Sequence, residues 1–524
     1  MLISIRLGAF FIWVLATVWV VVDKPFVLNA LAINTQWGPG INQDALLNIT
    51  TLTSEIAKST RSCTNLREEL GSDIVQLYGE EEYVEAMRNP ASFFNSIQRP
   101  ACVVVPRVDV HVQRTMATIY RDRVRYAVMS GGHTGMTGWN SVQDGILIFF
   151  GKMKSITYDE SRNRATIQPG VRWGEALSQL EPYGVAPMGG RLGDIGTGLL
   201  LGGGVSYLAP ENGWSTDGVT EMDVVLVDGR QVTVNASNQY SDLFRALKGG
   251  GSRFGIVTRF EVEPIRVGRR SDKNWYGGVI LYPESSAEAL IRAVHKFVQT
   301  NTDPKAAALF ILGYVMQNGK PVASHTVAYF YKGSSLPRDV FGDFLDIPHD
   351  FESLAPMSYI EATDVFGAGD DRGFGHRFSG TSFVGEPEKC LKAFRDFQRF
   401  ATESAHVVNS TVFGLTPIPL HQIETARKKG GNALQPALRP YLSAHWNTVF
   451  LEGQEQIPAK VELGLKWLMR RNPPCSGAPL DMNESDATQN VYATYGDYEF
   501  LKHVYQKYDP TRFNVRYSQG PIGL

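Results

Sequence analysis

Short apolar runs alternate with helix-spaced ones between residues 101 and 262. Ala101–Val105, Val124–Met129 and Ile146–Phe150 have the length and composition of buried strands, and His111–Arg121 between the first two reads as a helix. Farther on come a strand at Ala165–Ile167 and a helix starting near Trp173, with Glu175, Ala176 and Leu180. Asp223–Val227 and Gln231–Val234 are joined by Asp228-Gly229, a strong hairpin signal. Beyond residue 268 the strand-like runs broaden, as in Gly277–Leu281 and Thr326–Tyr331. An amphipathic helix is predicted over Ser285–Val298, with Ala287, Leu290, Ile291, Val294 and Val298 on one face. A last helix, Tyr498–Tyr508, stops at Asp509-Pro510, where proline cannot continue it. The pattern predicts an interleaved α and β unit followed by a separate α+β unit, a sheet covered on one side by helices.

The N-terminus breaks this alternation. Arg6 precedes an unbroken apolar run from Ala9 to Val22, then Asp23-Lys24-Pro25 and the small-residue pattern Ala30-Leu31-Ala32. This is the layout of a secretory signal over residues 1–32. As a helix the run would reach about 21 Å, short of the roughly 30 Å hydrocarbon core, so no stable membrane span is expected after cleavage and an anchor is the weaker reading. A secreted or secretory-lumen location follows as the expectation. Sequons at Asn48, Asn235, Asn409 and Asn483 are compatible with that route but add little. The four cysteines, Cys63, Cys102, Cys390 and Cys475, have no CxxC spacing, which favours disulfides over a metal site. Cys63 with Cys102 is the preferred pair, which leaves Cys390 with Cys475. Net charge is −2, from 51 Lys+Arg against 53 Asp+Glu, so no broad basic face is available for nucleic acid.

Glycine carries the candidate chemistry. About half of the 51 glycines lie between Gly131 and Gly255. The loop Ser130-Gly131-Gly132-His133-Thr134-Gly135 follows a strand, where residues without Cβ can bring bare N–H groups to a phosphate-bearing cofactor. Other sites are unsupported: there is no G-x-S-x-G nucleophile elbow, no phosphate loop of the GxxxxGK[ST] type and no H-E-x-x-H zinc helix. Gly196-Thr197-Gly198 with Gly202-Gly203-Gly204 has the wrong spacing for a nicotinamide fingerprint. What remains is an ordered series: 130–138, Pro169–Gly174, Gly189–Gly204 and Leu247–Thr258, with Tyr207, Asn212-Gly213-Trp214 and Asp217. This series resembles the FAD-binding domain of the vanillyl-alcohol oxidase and p-cresol methylhydroxylase superfamily, closest to the fungal berberine-bridge-enzyme-like oxidases. The likeness recurs at Tyr495-Gly496 and Tyr508-Asp509-Pro510 and is only general over 268–470.

The resemblance implies an α+β protein with a two-part PCMH-type FAD-binding domain over 33–267. A substrate domain of antiparallel sheet covered by helices follows at 268–470, and 471–524 returns to the FAD domain. It implies cofactor contacts at Ser130, Gly131, Gly132, His133, Thr134 and Gly135, at Gly190, Gly198 and Gly203, at Asp217, at Gly255, Ile256 and Val257, and at Asn483. His133 matches the histidine bonded to the flavin 8α-methyl. A second, cysteinyl bond is excluded, because Arg191 and Leu192 stand where relatives place that cysteine. The family's Asp-Asn stands here as Asp217-Gly218. Asn483 also opens a sequon, and since a glycan does not fit a cofactor cleft, the buried role is the expectation. The implied activity is hydride transfer from a small organic substrate, a fungal secondary metabolite, to flavin N5, with O2 returning as H2O2. A sugar C1 oxidase, a redox-neutral flavin-bound isomerase or cyclase and a non-catalytic secreted glycoprotein are the competing readings. Tyr441, His445, Tyr329 and Tyr331 have the chemistry of a proton acceptor, and sequence does not choose among them.

Overall fold

The computed structural model describes residues 43–524 apart from Ala368, Asp370 and Asp371. Residues 1–32, expected from sequence to be a signal, lie outside the described residues. Residues 1–55 and 56–524 are separate compact units. The described part of the first is the opening of helix Gln43–Leu70. Every other element belongs to residues 56–524.

Three apolar runs form the strands Cys102–Val104, Tyr126–Met129 and Ile146–Phe149, with Ile146–Phe149 parallel to both of the others. The helix Asp109–Asp122 carries the chain from Cys102–Val104 to Tyr126–Met129, two strands of like direction that flank Ile146–Phe149. Val75–Gln76 adds an antiparallel edge to this sheet. A disulfide joins Cys63 to Cys102 at its margin, the pairing preferred from sequence. Next comes a five-stranded antiparallel sheet, in order Ile156–Asp159, Arg164–Ile167, Ile256–Val262, Val219–Val225 and Gln231–Asn235. The hairpin at Asp228-Gly229 is present, with Val225 opposite Gln231.

The third sheet has seven antiparallel strands, in the order Phe351–Met357, Trp275–Tyr282, Lys320–Tyr331, Ala306–Gln317, Val408–Ile418, Tyr441–Glu452 and Phe374–Phe383. Helices Ala287–Thr300, Arg338–Leu345, Glu388–Ser404 and Ala459–Arg471 cover one face, where Phe310, Val327, Phe413, Leu442, Ala444 and Trp446 join one apolar core. Phe413 and Trp446 stack there with centroids 5.6 Å apart. Burying each such ring stabilises the fold by about 2 to 3 kcal/mol. Side chains alternate across a strand, so Ser443, His445 and Asn447 point the other way. That second face packs Ala307, Leu309, Ala328 and Phe330 with Tyr207 and Leu208 of the glycine-rich part.

The C-terminal segment returns to the first sheets. Tyr126 Oη donates to Asn514 Oδ1 at 2.7 Å, and Arg253 Nη1 donates to the Ser518 carbonyl at 2.8 Å. Helix Tyr498–Tyr508 runs over the predicted residues. Two expectations change. The strand Thr326–Tyr331 begins earlier, at Lys320, because alternation rather than a continuous apolar run marks its exposed half. Cys390 and Cys475 are free, not paired: Cys390 is buried in helix Glu388–Ser404, within the core against the sheet, while Cys475 lies in a later loop near Lys389.

Candidate functional site

The loop 130–138 leaves the carboxyl end of the buried strand Tyr126–Met129, a position from which a chain can reach a ligand without spending strand pairing. Its shape is held by Asn95, a fully buried residue that the sequence did not single out. Asn95 Nδ2 donates to the carbonyls of Thr134 and Met136, and its Oδ1 accepts from Gly138 N at 2.8 Å and Ser141 Oγ at 2.7 Å. Ser130 Oγ donates to the Pro169 carbonyl at 2.6 Å and lies 3.2 Å from Thr197 Oγ1, so it ties three glycine segments together. Gly131 and Gly196 meet backbone to backbone: a Cβ on Gly131 would stand 2.7 Å from Gly196 Cα. Thr134 turns back on its own loop, accepting from Met136 N. Gly190 packs on Trp173 and Ile195, and Gly203 sits at φ +100°, beside Leu434 and Trp214. A Cβ on Gly198 would meet nothing within 4 Å.

His133 faces Asp194, whose carboxylate is 2% exposed and ion-paired with Arg172 at 2.5 Å and Arg372 at 3.2 Å. The Nδ1 of His133 stands 3.8 Å from Asp194 Oδ2; it is buried and makes no hydrogen bond. Gly135 lies against the seven-stranded sheet, where a Cβ would come within 2.6 Å of the Phe378 ring and 3.3 Å of His376 Cβ. Burial, reinforced by nearby His133, pushes His376 down to about 4, so its ring is neutral near pH 7.

The sheet contributes side chains. His445 lies directly between Gly380 and Gly414 on the neighbouring strands, and any Cβ on Gly414 would collide with its ring. His445 Nδ1 stands 2.9 Å from Glu484 Oε2, while Arg191 bonds Glu484 Oε1 at 2.8 Å and Thr416 Oγ1 at 2.8 Å. Burial alone would raise the Glu484 carboxyl, but His445 and Arg191 outweigh it and hold it down to about 2. Asp481 goes the other way: burial, then the charge of Glu484, pushes it up to about 7. The two carboxyls thus occupy opposite ends of the carboxylic range, an arrangement typical of functional sites.

Asn483, one residue before Glu484, presses on Gly202 and donates Nδ2 to the Leu199 carbonyl at 3.3 Å. The consecutive pair Asn483-Glu484 therefore joins the glycine segments to the sheet.

Several expected contact residues also bond or pack within the protein. Asp217 spends its oxygens on protein: Oδ2 accepts from Trp214 N at 2.9 Å, Asn432 Nδ2 donates to both oxygens at 3.1 Å, and Lys248 Nζ is 3.5 Å from Oδ1. Burial raises its carboxyl, and Lys248 does not cancel the rise. It clamps the turn at 213–218. Ile256 and Val257 open a strand and pair with Val225 and Val224, with their side chains in apolar cores, and Gly255 packs on Val224. These three support the cradle from behind.

Of the proton-acceptor candidates, only His445 has both an ion partner and this position. Tyr441 is buried, and burial with Asp481 nearby raises its phenol far above neutral pH. Tyr329 pairs with Tyr282 at 3.0 Å on the helix-covered face, and Tyr331 donates to Asp303 at 2.9 Å. The sequence reading missed Arg191 and Glu484 as partners, and Asp194 altogether. The alternation of Ser443, His445 and Asn447 with Leu442, Ala444 and Trp446 was the available signal, since it places polar groups on one face of a buried strand.

Residues 100–235 match the FAD binding domain family. An FAD-linked oxidoreductase of Arthroderma benhamiae is 36% identical over 318 residues, 60% of this chain and 61% of the relative. The chain thus spans about six-tenths of that relative's length. An FAD-dependent monooxygenase of Cochliobolus heterostrophus is 26% identical over 511 residues, covering 88% and 93%. Among solved structures, carbohydrate oxidase from Microdochium nivale superposes with a TM-score of 0.71 at 19% identity, over 89% of this chain and 100% of that one. A berberine bridge enzyme variant gives 0.70 at 15% identity, with the same coverage. At such identities the structural likeness speaks for the fold, and the sequence matches speak for the cofactor domain. Residues 100–235 therefore form an FAD binding domain, and the chain shares the fold of the carbohydrate oxidase and of berberine bridge enzyme.

Proposed function

We propose that the protein is a secreted FAD-dependent oxidase acting on a small hydroxyl-bearing organic molecule, a secondary metabolite rather than an oligosaccharide, with a single covalent tether at His133. The residues present suit the cofactor. Gly198 leaves open space where a side chain would stand, and His133 Nδ1, 3.8 Å from Asp194, is buried without a hydrogen bond. His133 would hold the ring system at its methyl edge, and the backbone of 196–204 with Asn483 would line it. When bound, the flavin supplies a two-electron acceptor that takes hydride from the substrate and passes the electrons to O2.

The observation that carries this reading is the junction at Asn483-Glu484. One residue rests on the glycine floor at Gly202, and the next is ion-paired to His445 on the facing sheet. A substrate between those walls meets an imidazole held by a carboxylate, the arrangement that accepts a hydroxyl proton. Arg191 fixes Glu484 from the far side, and the Phe378 ring lies 5.9 Å from the His445 ring. The polar groups of the sheet wall, His376, Asn447 and His445, sit on two adjacent strands. The Cys63–Cys102 disulfide supports passage through an oxidising compartment.

Curated relatives are named FAD-dependent monooxygenases, which favours oxygen insertion as the second reading. The test is the visible spectrum of the purified protein, then peroxide release with small alcohols and with xylobiose under 18O2. Flavin bands, peroxide with small alcohols and no label in the product are expected. A colourless protein overturns the proposal, and label in the product moves it to the monooxygenase.

A further inference from the structure

Beside the His445–Glu484 pair, between the glycine-rich part and the second face of the large sheet, lies a cavity whose lining includes Arg191, Tyr207, Ala307, Thr416, Pro417 and Gln422. Thr416 and Gly414 pair with Ser443 and His445 on the neighbouring strand. Thr416 therefore faces the same side as His445 and stands about 7 Å along the sheet from the glycine under that ring. Arg191 bridges the two places: Nη1 donates to Thr416 Oγ1 and Nη2 to Glu484 Oε1, both at 2.8 Å.

Two side chains of this cavity are buried and unspent. Gln422, on helix Leu420–Lys428, is 0% exposed, and neither its Nε2 nor its Oε1 makes a hydrogen bond among the described residues. Tyr207 is 4% exposed; its ring rests on Phe330 with centroids 4.2 Å apart, and its Oη is likewise without a bond. Burial raises the Tyr207 phenol, so it keeps its proton and can donate it. A buried amide or hydroxyl without a partner costs free energy, and two of them lining one cavity mark a place for a polar guest.

The chemistry of the lining selects that guest. The amide offers donors and acceptors, and the phenol a donor. Arg191, the charged residue of the lining, is already ion-paired with Glu484. A carboxylate guest would add a second anion beside Glu484, and a cation would meet the guanidinium. A neutral oxygen satisfies the amide and the phenol without either penalty, while Ala307 and Pro417 suit the carbon that carries it.

We infer that Gln422 and Tyr207 form a subsite for a neutral carbonyl or hydroxyl oxygen at the far end of the substrate; this rests on the reading of His445 and Glu484 as the proton-accepting pair. The substrate class narrows to molecules that carry the alcohol to be oxidised at one end and a neutral oxygen about one aromatic ring away.

The test uses three benzyl alcohols: the para-acetyl compound, whose carbonyl reaches the subsite, the para-isopropyl compound, of the same shape without the oxygen, and the para-carboxy compound, which is charged. Dissociation constants are measured by calorimetry on the holoenzyme, reduced with dithionite and kept from O2 so that no turnover intervenes. Peroxide release is measured separately in air. Wild type should bind the acetyl probe about tenfold or more tighter than either of the others. Gln422→Leu should melt at or above the wild-type temperature, because it removes a buried amide without partners, and its acetyl-to-isopropyl preference should fall to within about twofold. Tyr207→Phe should lose part of the preference. Equal or unmeasurable binding of the two neutral probes by wild type, tighter binding of the carboxy probe, or a preference that survives Gln422→Leu overturns the inference, and peroxide release from these alcohols then leaves the oxidase reading standing. A preference that is intact without any peroxide overturns the oxidase reading and leaves the subsite. The wild-type comparison needs no variant, so the inference stays testable if Gln422→Leu does not fold.

Discussion

The two walls that meet at Asn483-Glu484 are built by opposite means. From 130 to 204 the chain offers backbone: Gly131 lies on Gly196, Gly174 on Gly193, and side chains such as Asn95 and Ser130 serve mainly to hold loops. The facing strands Tyr441–Glu452 and Phe374–Phe383 offer side chains, and use glycine only to make room for them, as Gly414 does for His445. A wall of peptide groups suits a ligand with phosphates and a fixed shape, whereas a wall of titratable side chains suits a step in which a proton moves. The difference teaches that, on the proposed reading, cofactor binding and substrate chemistry fall to separate parts of the chain.

Adding one methyl to each wall should break this contrast most visibly. Gly196→Ala puts a Cβ into the Gly131 backbone, which cannot yield as a flexible side chain can. We expect loss of bound flavin and about 3 kcal/mol of stability, checked by the flavin-to-protein ratio and urea unfolding. On the sheet wall, Glu484→Gln and His445→Gln should keep flavin content near wild type while lowering turnover by about 100-fold or more. Lost flavin in those variants would show that the sheet wall also grips the cofactor. Gly414→Ala is milder: the imidazole has to tilt away, at about 1 to 2 kcal/mol and roughly tenfold in rate, with flavin content unchanged.

The smallest effect is a pH slope. Asp481, at about 7 against its ordinary 3.8, binds its proton more tightly in the folded chain, so its contribution falls as pH rises from about 4 to 7. Glu484, at about 2 against 4.5, behaves oppositely: its contribution is complete above pH 4.5 and is lost as pH falls toward 2. Asp481→Asn should flatten the decline in melting temperature between pH 4 and 7 and leave the acid side as it was. An unchanged slope would mean that Asp481 is not the group responsible.

The glycine wall was legible because its signals are local. A strand, a loop of small residues and the next helix succeed one another in sequence, and the elements at Asp109–Asp122, Tyr126–Met129, Ile146–Phe149 and Trp173–Leu180 lie within a few residues of their predicted places. The sheet wall was not legible as a site. His445 meets Gly414, Gly380 and Glu484 only through pairing between strands far apart in the chain, and strand order does not match sequence order. The partners of Asp217 were hidden for a related reason: a conspicuous acid beside a glycine turn serves a ligand or the turn equally well, and its bonds to the distant Asn432 and Lys248 appear only in the fold. The Cys390–Cys475 pairing came from elimination, which carries no geometry, and burial of Cys390 on the core side of helix Glu388–Ser404 removes it.

The central claim is that these two walls enclose one flavin, tethered at His133 and overlaid by His445. A crystal structure of the purified protein tests it most directly. The account predicts continuous density from the His133 ring into an isoalloxazine lying between Gly202–Asn483 and His445. Density that places the ring system away from both histidines would contradict it.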